Sequence, residues 1–280
     1  MKIKILSDST CDLPKALLEK YDIALARLTV IKDGQPFVDG TTITPADIFD
    51  HVAAGGDLCS TTACNIGDYE ELFSQYSKDY DGIIHISLGA NFSSSYQNAC
   101  LAAEDYPNVR VVDSQNLTTG QGHIVLEACR LAKELEDLDE IVAKLQDLIP
   151  RVETSFLLDQ LKYMAKGGRC SAAAALGANL LNLKPCIEVK EGKLSVVKKY
   201  RGSYAKCLAS YTKDRLADRE DVLRDELFLT YTAVTDECLE AVKSAIDAHG
   251  NFATVYEATA GCTISCHCGP GTLGVIFVRK

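Results

Sequence analysis

GIIHISLGANFSSSYQNACLAAE, residues 82–104, decides how this chain folds. GIIHISL (82–88) is a short, mostly apolar run of strand length. It ends in a polar cluster of Gly, Asn and Ser, and from Ser94 to Glu104 the residues read as a helix. Strand, polar loop, helix is the unit of a parallel sheet covered by helices.

The same unit recurs on either side. Upstream, IKIL (3–6) predicts a strand and Pro14–Tyr21 a helix, and ALARLTVI (24–31) predicts another strand. Thr44–His51 reads as a helix capped by Thr44 with Pro45 in its first turn. Asp68–Lys78 reads as a further helix. Downstream, VRVVDS (109–114) predicts a strand, followed by a Ser/Asn/Thr/Gly stretch and a helix to about Glu136. In such sheets ligands sit beyond the carboxyl ends of the strands, where helices begin and their N–H groups point outward. Three loops fall there: 7–12, 88–96 and 113–122. All are rich in hydroxyls and amides, and none carries a lysine or arginine.

Past a second amphipathic helix at Leu138–Ile149, the pattern changes at Pro150. RVETSFLL (151–158) reads as a strand, and CIEVKEGKLSVVKKY (186–200) as a hairpin turning at Glu191–Gly192. A helix (203–217), a strand (226–232), a helix (236–248) and strands at 253–258 and 271–278 follow. The fold class is α/β in two domains: a parallel-sheet N-terminal domain over 1–150 and a smaller mixed α/β domain over 151–280.

Composition sets the outer limits. The 280 residues carry a net charge of −10, with 47% hydrophobic and 24% charged residues. That is enough apolar material for one large or two medium domains. The acidic balance argues against nucleic acid, whose phosphates reward basic surfaces. No apolar run approaches the ~20 residues of a membrane span. The N-terminal MKIKILSDSTCDLP reads as a first strand and not as a signal peptide, so the expected location is cytoplasmic. The 12 cysteines are scattered, and in a reducing cytosol they are expected to remain thiols that pack as small hydrophobes.

Several clusters could carry chemistry. Ser93, Ser94 and Ser95 stand at a helix start, where one serine suffices as a cap and three make an anion cradle. Ser60, Thr61 and Thr62 precede another helix, with Asn65 as a further capping candidate. Gly167-Gly168-Arg169 suggests tight backbone presenting a guanidinium, and Ala172–Ala178 reads as a closely packing helix. Asp8 and Asp12 are spaced like metal carboxylates, but with no histidine or third carboxylate nearby they read as loop-capping residues. Nucleophile elbow and P-loop patterns are both absent. GCTISCHCGPGTLG (261–274) has CxxxC and CxC spacings without a second ligand pair, a weak basis for structural zinc. Its glycines and Pro270 read as a turn delivering a single imidazole, His267, before the last strand.

Six segments in register carry a resemblance: SDSTCDLP (7–14), STTACN (60–65), GANFSSSYQNA (89–99), VVDSQNLTTGQG (111–122), GGRCS (167–171) and HCGPGTLGV (267–275). Together they resemble the DegV family of bacterial fatty-acid-binding proteins along essentially the whole chain. The resemblance implies a DegV-like two-domain fold with a long-chain fatty acid held between the domains. It also implies that the carboxyl group is presented to a separate fatty-acid kinase subunit that makes acyl-phosphate, a phospholipid precursor. Thr61 and Ser93 would hydrogen-bond the carboxylate, with Thr62, Ser94 and His267 beside them. Arg169 and Arg201 would orient the head group or meet the kinase. The implied protein is a monomeric carrier without catalytic residue, metal or cofactor. Two positions depart from the family pattern: its Gln-Pro is Ala63-Cys64 here, and the glycine after the binding serine is Ser94. The same residues permit a serine hydrolase or acyltransferase with Ser93 as nucleophile and His267 as base, or a cysteine-rich metal or redox module at 262–268.

Overall fold

The computed structural model describes residues 1–171 and 183–280; the helix expected over Ala172–Ala178 lies outside the described residues. In chain order the first half runs β1 (Ile3–Asp8), α1 (Lys15–Lys20), β2 (Ala24–Ala26), β3 (Thr29–Lys32), β4 (Gln35–Val38), α2 (Pro45–Ala53), β5 (Ser60–Thr62) and α3 (Ile66–Ser77). β6 (Gly82–Ser87), α4 (Ser95–Ala103), β7 (Val109–Asp113), α5 (Thr118–Glu134) and α6 (Leu138–Leu148) complete it. The second half runs β8 (Val152–Leu157), α7 (Leu161–Gly167), β9 (Leu183–Lys190), β10 (Lys193–Arg201), α8 (Tyr204–Leu216), β11 (Val222–Tyr231), α9 (Asp236–His249), β12 (Thr254–Thr259), α10 (Cys262–Cys268) and β13 (Leu273–Arg279).

The repeated strand–loop–helix unit builds a parallel sheet in the order β2-β1-β6-β7. Every residue of β6 is buried, as its apolar run requires. The second half forms a six-stranded mixed sheet, β10-β9-β8-β13-β11-β12, in which only β11 and β12 pair in parallel. The β9–β10 hairpin turns at Glu191 and Gly192, both left-handed (φ 49° and 70°), the geometry a two-residue primed turn needs. The two sheets share one core. α5 is buried on nearly every side, and its Ile124 and Val125 pack with Ile5 and Ile86 of the parallel sheet and with Phe228 and Ile276 of the mixed sheet. Cross-links such as Thr119 Oγ1 to Thr230 Oγ1 at 2.6 Å fix it to the second sheet.

Two helix starts follow the capping chemistry of their sequences. Thr44 and Asp47 form a reciprocal capping box on α2, and Asn65 and Asp68 form one on α3. Two sequence expectations are corrected, and one element is added. ALARLTVI is two strands in different sheets, because the chain leaves the parallel sheet at Arg27–Leu28, where Leu28 N donates to Ser9 Oγ. Ser60–Thr62 is not a loop but strand β5, paired antiparallel with β3 in a small sheet, β4-β3-β5. Residues 262–268 add a helix, and the turn expected at the glycines and Pro270 follows it. Cys, Thr, Ile and Ser are mediocre helix formers, so tertiary contacts decide the matter.

Candidate head-group site

α10 is short and is held at its start by carboxylates from the first half of the chain. Gly261 N donates to Asp12 Oδ1 at 2.9 Å and Cys262 N to Asp39 Oδ1 at 2.9 Å. Thr263 gives both its N–H (3.3 Å) and its hydroxyl (2.7 Å) to Asp39 Oδ2. These acceptors take up amide donors that a helix start leaves unpaired, and the Asp39 carboxylate stands at the favourable end of the helix dipole. At the other end Gly269 and Gly271 adopt left-handed backbone (φ 76° and 80°), which lets the chain reverse into β13.

This arrangement delivers His267 from the last turn of α10 to Thr61 on β5. Thr61 Oγ1 and His267 Nε2 lie 2.8 Å apart. Among the described residues the other ring nitrogen, Nδ1, is buried without a partner, and it faces Gly167, where any Cβ would collide with it. Burial, aided by the Arg169 charge, pushes the imidazole down to about 4, so it is neutral at physiological pH. Ser93 lies across from this pair just ahead of α4. Its Oγ is 2.9 Å from Ser95 Oγ and accepts the Ser95 N–H at 3.1 Å.

Between them lies a cavity of about 70 Å³ walled by Leu28, Leu88, Leu117, Phe156, Met164 and Ile264, with Thr61, Ser93, His267 and Arg169 on its polar side. A smaller space of about 20 Å³ lies beyond, sharing Leu117, Phe156, Ile264 and Cys268 as common walls. Arg169 is exposed; left-handed Gly168 (φ 69°) precedes it, and it donates to the carbonyls of Gly167 (2.7 Å) and Phe92 (3.4 Å).

The structure thus brings Thr61, Ser93, His267 and Arg169 to one cavity. Thr62 and Ser94 are exposed and do not line it; Thr62 alternates to the opposite face of β5, and Ser94 faces the outer surface beside Tyr96 and Gln97. Arg201 is exposed at the end of β10, away from the cavity. His267 pairs with Thr61 and Ser93 with Ser95, so the Ser93–His267 dyad of a hydrolase is not formed. Cys262, Cys266 and Cys268 are buried, and among the described residues no three metal-ligating side chains converge. Asp39, which anchors α10, was not singled out in the sequence, where nothing local distinguishes it from a surface aspartate.

A family model described as "Uncharacterised protein, DegV family" matches residues 2–280. The chain belongs to the DegV family. A DegV domain-containing protein of Caldanaerobacter subterraneus subsp. tengcongensis is 31% identical, covering 100% of this chain and 99% of its own. One of Clostridium acetobutylicum is 32% identical with the same coverage. Among solved structures, a DegV family protein from Thermus thermophilus, described for its fatty-acid binding, superimposes with a TM-score of 0.90 at 27% identity over 100% of both chains. A stearic-acid-binding protein from Eubacterium ventriosum gives a TM-score of 0.83 at 25% identity over 99% of this chain and 98% of its own. The parallel sheet, the mixed sheet and the cavity between them are accordingly the two-domain DegV fold. Among the described residues, no helix is long and apolar enough to cross a membrane.

Proposed function

We propose that this DegV chain binds a long-chain fatty acid, with its tail in the apolar cavity and its carboxyl group at Thr61, Ser93 and His267, and presents that group to a partner fatty-acid kinase for acyl-phosphate formation. The observation that carries this reading is an apolar cavity ended by two hydroxyls and a neutral imidazole. The fatty-acid binding described for the Thermus and Eubacterium relatives supports it.

The energetics divide the labour. Each buried CH₂ is worth ~0.8 kcal/mol, so a long tail supplies on the order of 10 kcal/mol. Hydrogen bonds at the head add about 1 kcal/mol each and decide which end faces out. Seating a long tail requires the shared walls at Phe156 and Ile264 to yield, joining the two spaces. A head group held by hydroxyls stays available for transfer, whereas a buried bidentate arginine would mask it. The exposed Arg169 and Arg201 are the proposed kinase contacts. In this reading the protein is a cytoplasmic, monomeric carrier that needs no cofactor, and its acyl-phosphate product feeds phospholipid synthesis.

Denaturing extraction of protein purified from a bacterial host, followed by lipid mass spectrometry, tests the reading. One fatty acid per chain is expected. Protein that is lipid-free, and remains so after incubation with oleate or palmitate, refutes it. Replacing Thr61 and Ser93 together by alanine is expected to weaken retention by roughly tenfold or more.

A further inference from the structure

The polar end of the cavity carries hydrogen-bonding groups but no buried positive charge. Thr61 and Ser93 are hydroxyls, and each can donate or accept. Thr61 Oγ1 and His267 Nε2 lie 2.8 Å apart, a contact that either tautomer of the ring satisfies. Ser93 Oγ lies 2.9 Å from Ser95 Oγ, and either oxygen serves as the donor there. His267 is itself neutral, because burial, aided by the Arg169 charge, pushes its pKa down to about 4. Every one of these three groups is therefore amphoteric and uncharged.

The usual means of holding an anion are engaged elsewhere. The backbone amides beside the head-group position already have acceptors: Leu88 N donates to Asp8 (2.7 Å), Phe92 N to the Gly89 carbonyl (2.8 Å), Ser95 N to Ser93 Oγ (3.1 Å) and Thr263 N to Asp39 (3.3 Å). Among the described residues that line the cavity, Arg169 is the one cation. It is exposed, its Nη1 and Nε donate to the Gly167 and Phe92 carbonyls, and solvent screens its charge. Behind two of the walls stand carboxyl groups. Asp8, beside His85, takes the Leu88 amide, and Asp39 takes the Thr263 hydroxyl at 2.7 Å. A site built for an ionised carboxylate would offer a buried cation or free amides in these places, since the ion loses its hydration on entry.

We propose that this cavity also takes single-chain lipids whose head groups are uncharged and both donate and accept hydrogen bonds, namely primary fatty amides and fatty alcohols, nearly as well as it takes fatty acids of equal chain length. The proposal rests on the fatty-acid reading above and adds a head-group tolerance to it. An amide or an alcohol matches the amphoteric Thr61, Ser93 and His267, and it enters without the desolvation cost of an ion. The tail, which supplies most of the affinity, is common to all three classes. A primary amide has no carboxylate oxygen to attack phosphorus, so a carrier filled with one delivers nothing to phosphoryl transfer.

The test is equilibrium displacement. Protein loaded with carbon-13 palmitate is incubated with unlabelled palmitate, palmitamide, hexadecanol or hexadecane carried on cyclodextrin, and the label retained is measured by extraction and mass spectrometry. Palmitamide and hexadecanol are each expected to displace half of the label at concentrations within about tenfold of that needed with palmitate. Hexadecane, which has the tail and no head group, is expected to need at least about tenfold more than palmitamide. A requirement above tenfold for either neutral lipid overturns the proposal, as does hexadecane that competes as well as palmitamide, because the polar end is then not read at all. Thr61→Val combined with Ser93→Ala is expected to weaken palmitate and palmitamide together, and a loss confined to palmitate also overturns it. If that variant fails to fold, the wild-type series still decides. Wild-type protein that retains no labelled palmitate overturns the fatty-acid reading and this proposal with it, whereas retained palmitate that the neutral lipids do not displace overturns the proposal alone.

Discussion

Asp8 and Asp12 bracket the same short loop, and both are buried, yet their charges differ. Asp8 gathers donors from Tyr69, Ser87 and Leu88 beside the His85 imidazole and lies below the ordinary carboxylate range. Asp12 is raised to about 8 by burial, which the Thr118 hydroxyl and the Gly261 amide only partly offset, and the nearby Asp39 charge adds to the rise. Equal burial with unequal donors gives one anion and one acid that is mostly protonated at neutral pH. The His85 imidazole, together with the supply of donors, decides the charge, and the two residues accordingly do different work. Asp8 ties β1 to β6 and α3, and Asp12 helps to seat the helix that carries His267.

The largest effect is expected at the first of them. Asp8→Ala leaves the Tyr69, Ser87 and Leu88 donors and His85 without their acceptor in the interior, a loss of about 3–5 kcal/mol measurable by urea unfolding. A loss under about 1 kcal/mol would erase the contrast with Asp12. On the α10 side, Gly167→Ala is expected to displace His267 and reduce fatty-acid retention by roughly tenfold. Its melting temperature should change little, because Gly167 ends α7 with ordinary backbone.

Asp12→Asn sharpens the comparison through pH. Asn tolerates the left-handed backbone of this position (φ 49°). Between the unfolded value of 3.8 and the folded value of about 8, the native state keeps a proton that the unfolded chain releases. Stability contributed by this proton is full below pH 4, declines as pH rises and is gone above pH 8. Melting temperatures across pH 4–8 should therefore slope downward more steeply in wild type than in the variant, and parallel curves would contradict the raised pKa. The smallest effect on binding is expected at Arg201→Ala, which should leave lipid content unchanged while slowing kinase-coupled phosphorylation.

Much of the fold is legible in local sequence because its devices are local. The apolar run of 82–88, the capping residues Thr44 and Asn65 and the turn at Glu191–Gly192 each act within a few residues. The candidate site is legible only in part. Ser93 advertises itself at a helix start, and His267 through its motif. The strand at Thr61 and the helix at 262–268 depend on partners far along the chain: β3 for the one, Asp12 and Asp39 for the other. The groups around Asp8 of β1 come from α3 and β6, and no local sequence pattern joins them.

Thr61 and His267 are 206 residues apart in sequence. At translation speeds of about 5–20 residues per second, a nascent chain carries its hydroxyls for roughly 10–40 s before the imidazole exists. Throughout that interval Leu88 and Phe92 lack their cover from α10, as does the small sheet that bears Thr61. The site proposed for lipid is therefore completed late in biogenesis, and a ribosome paused before α10 holds a chain with the apolar walls of that cavity and no lid.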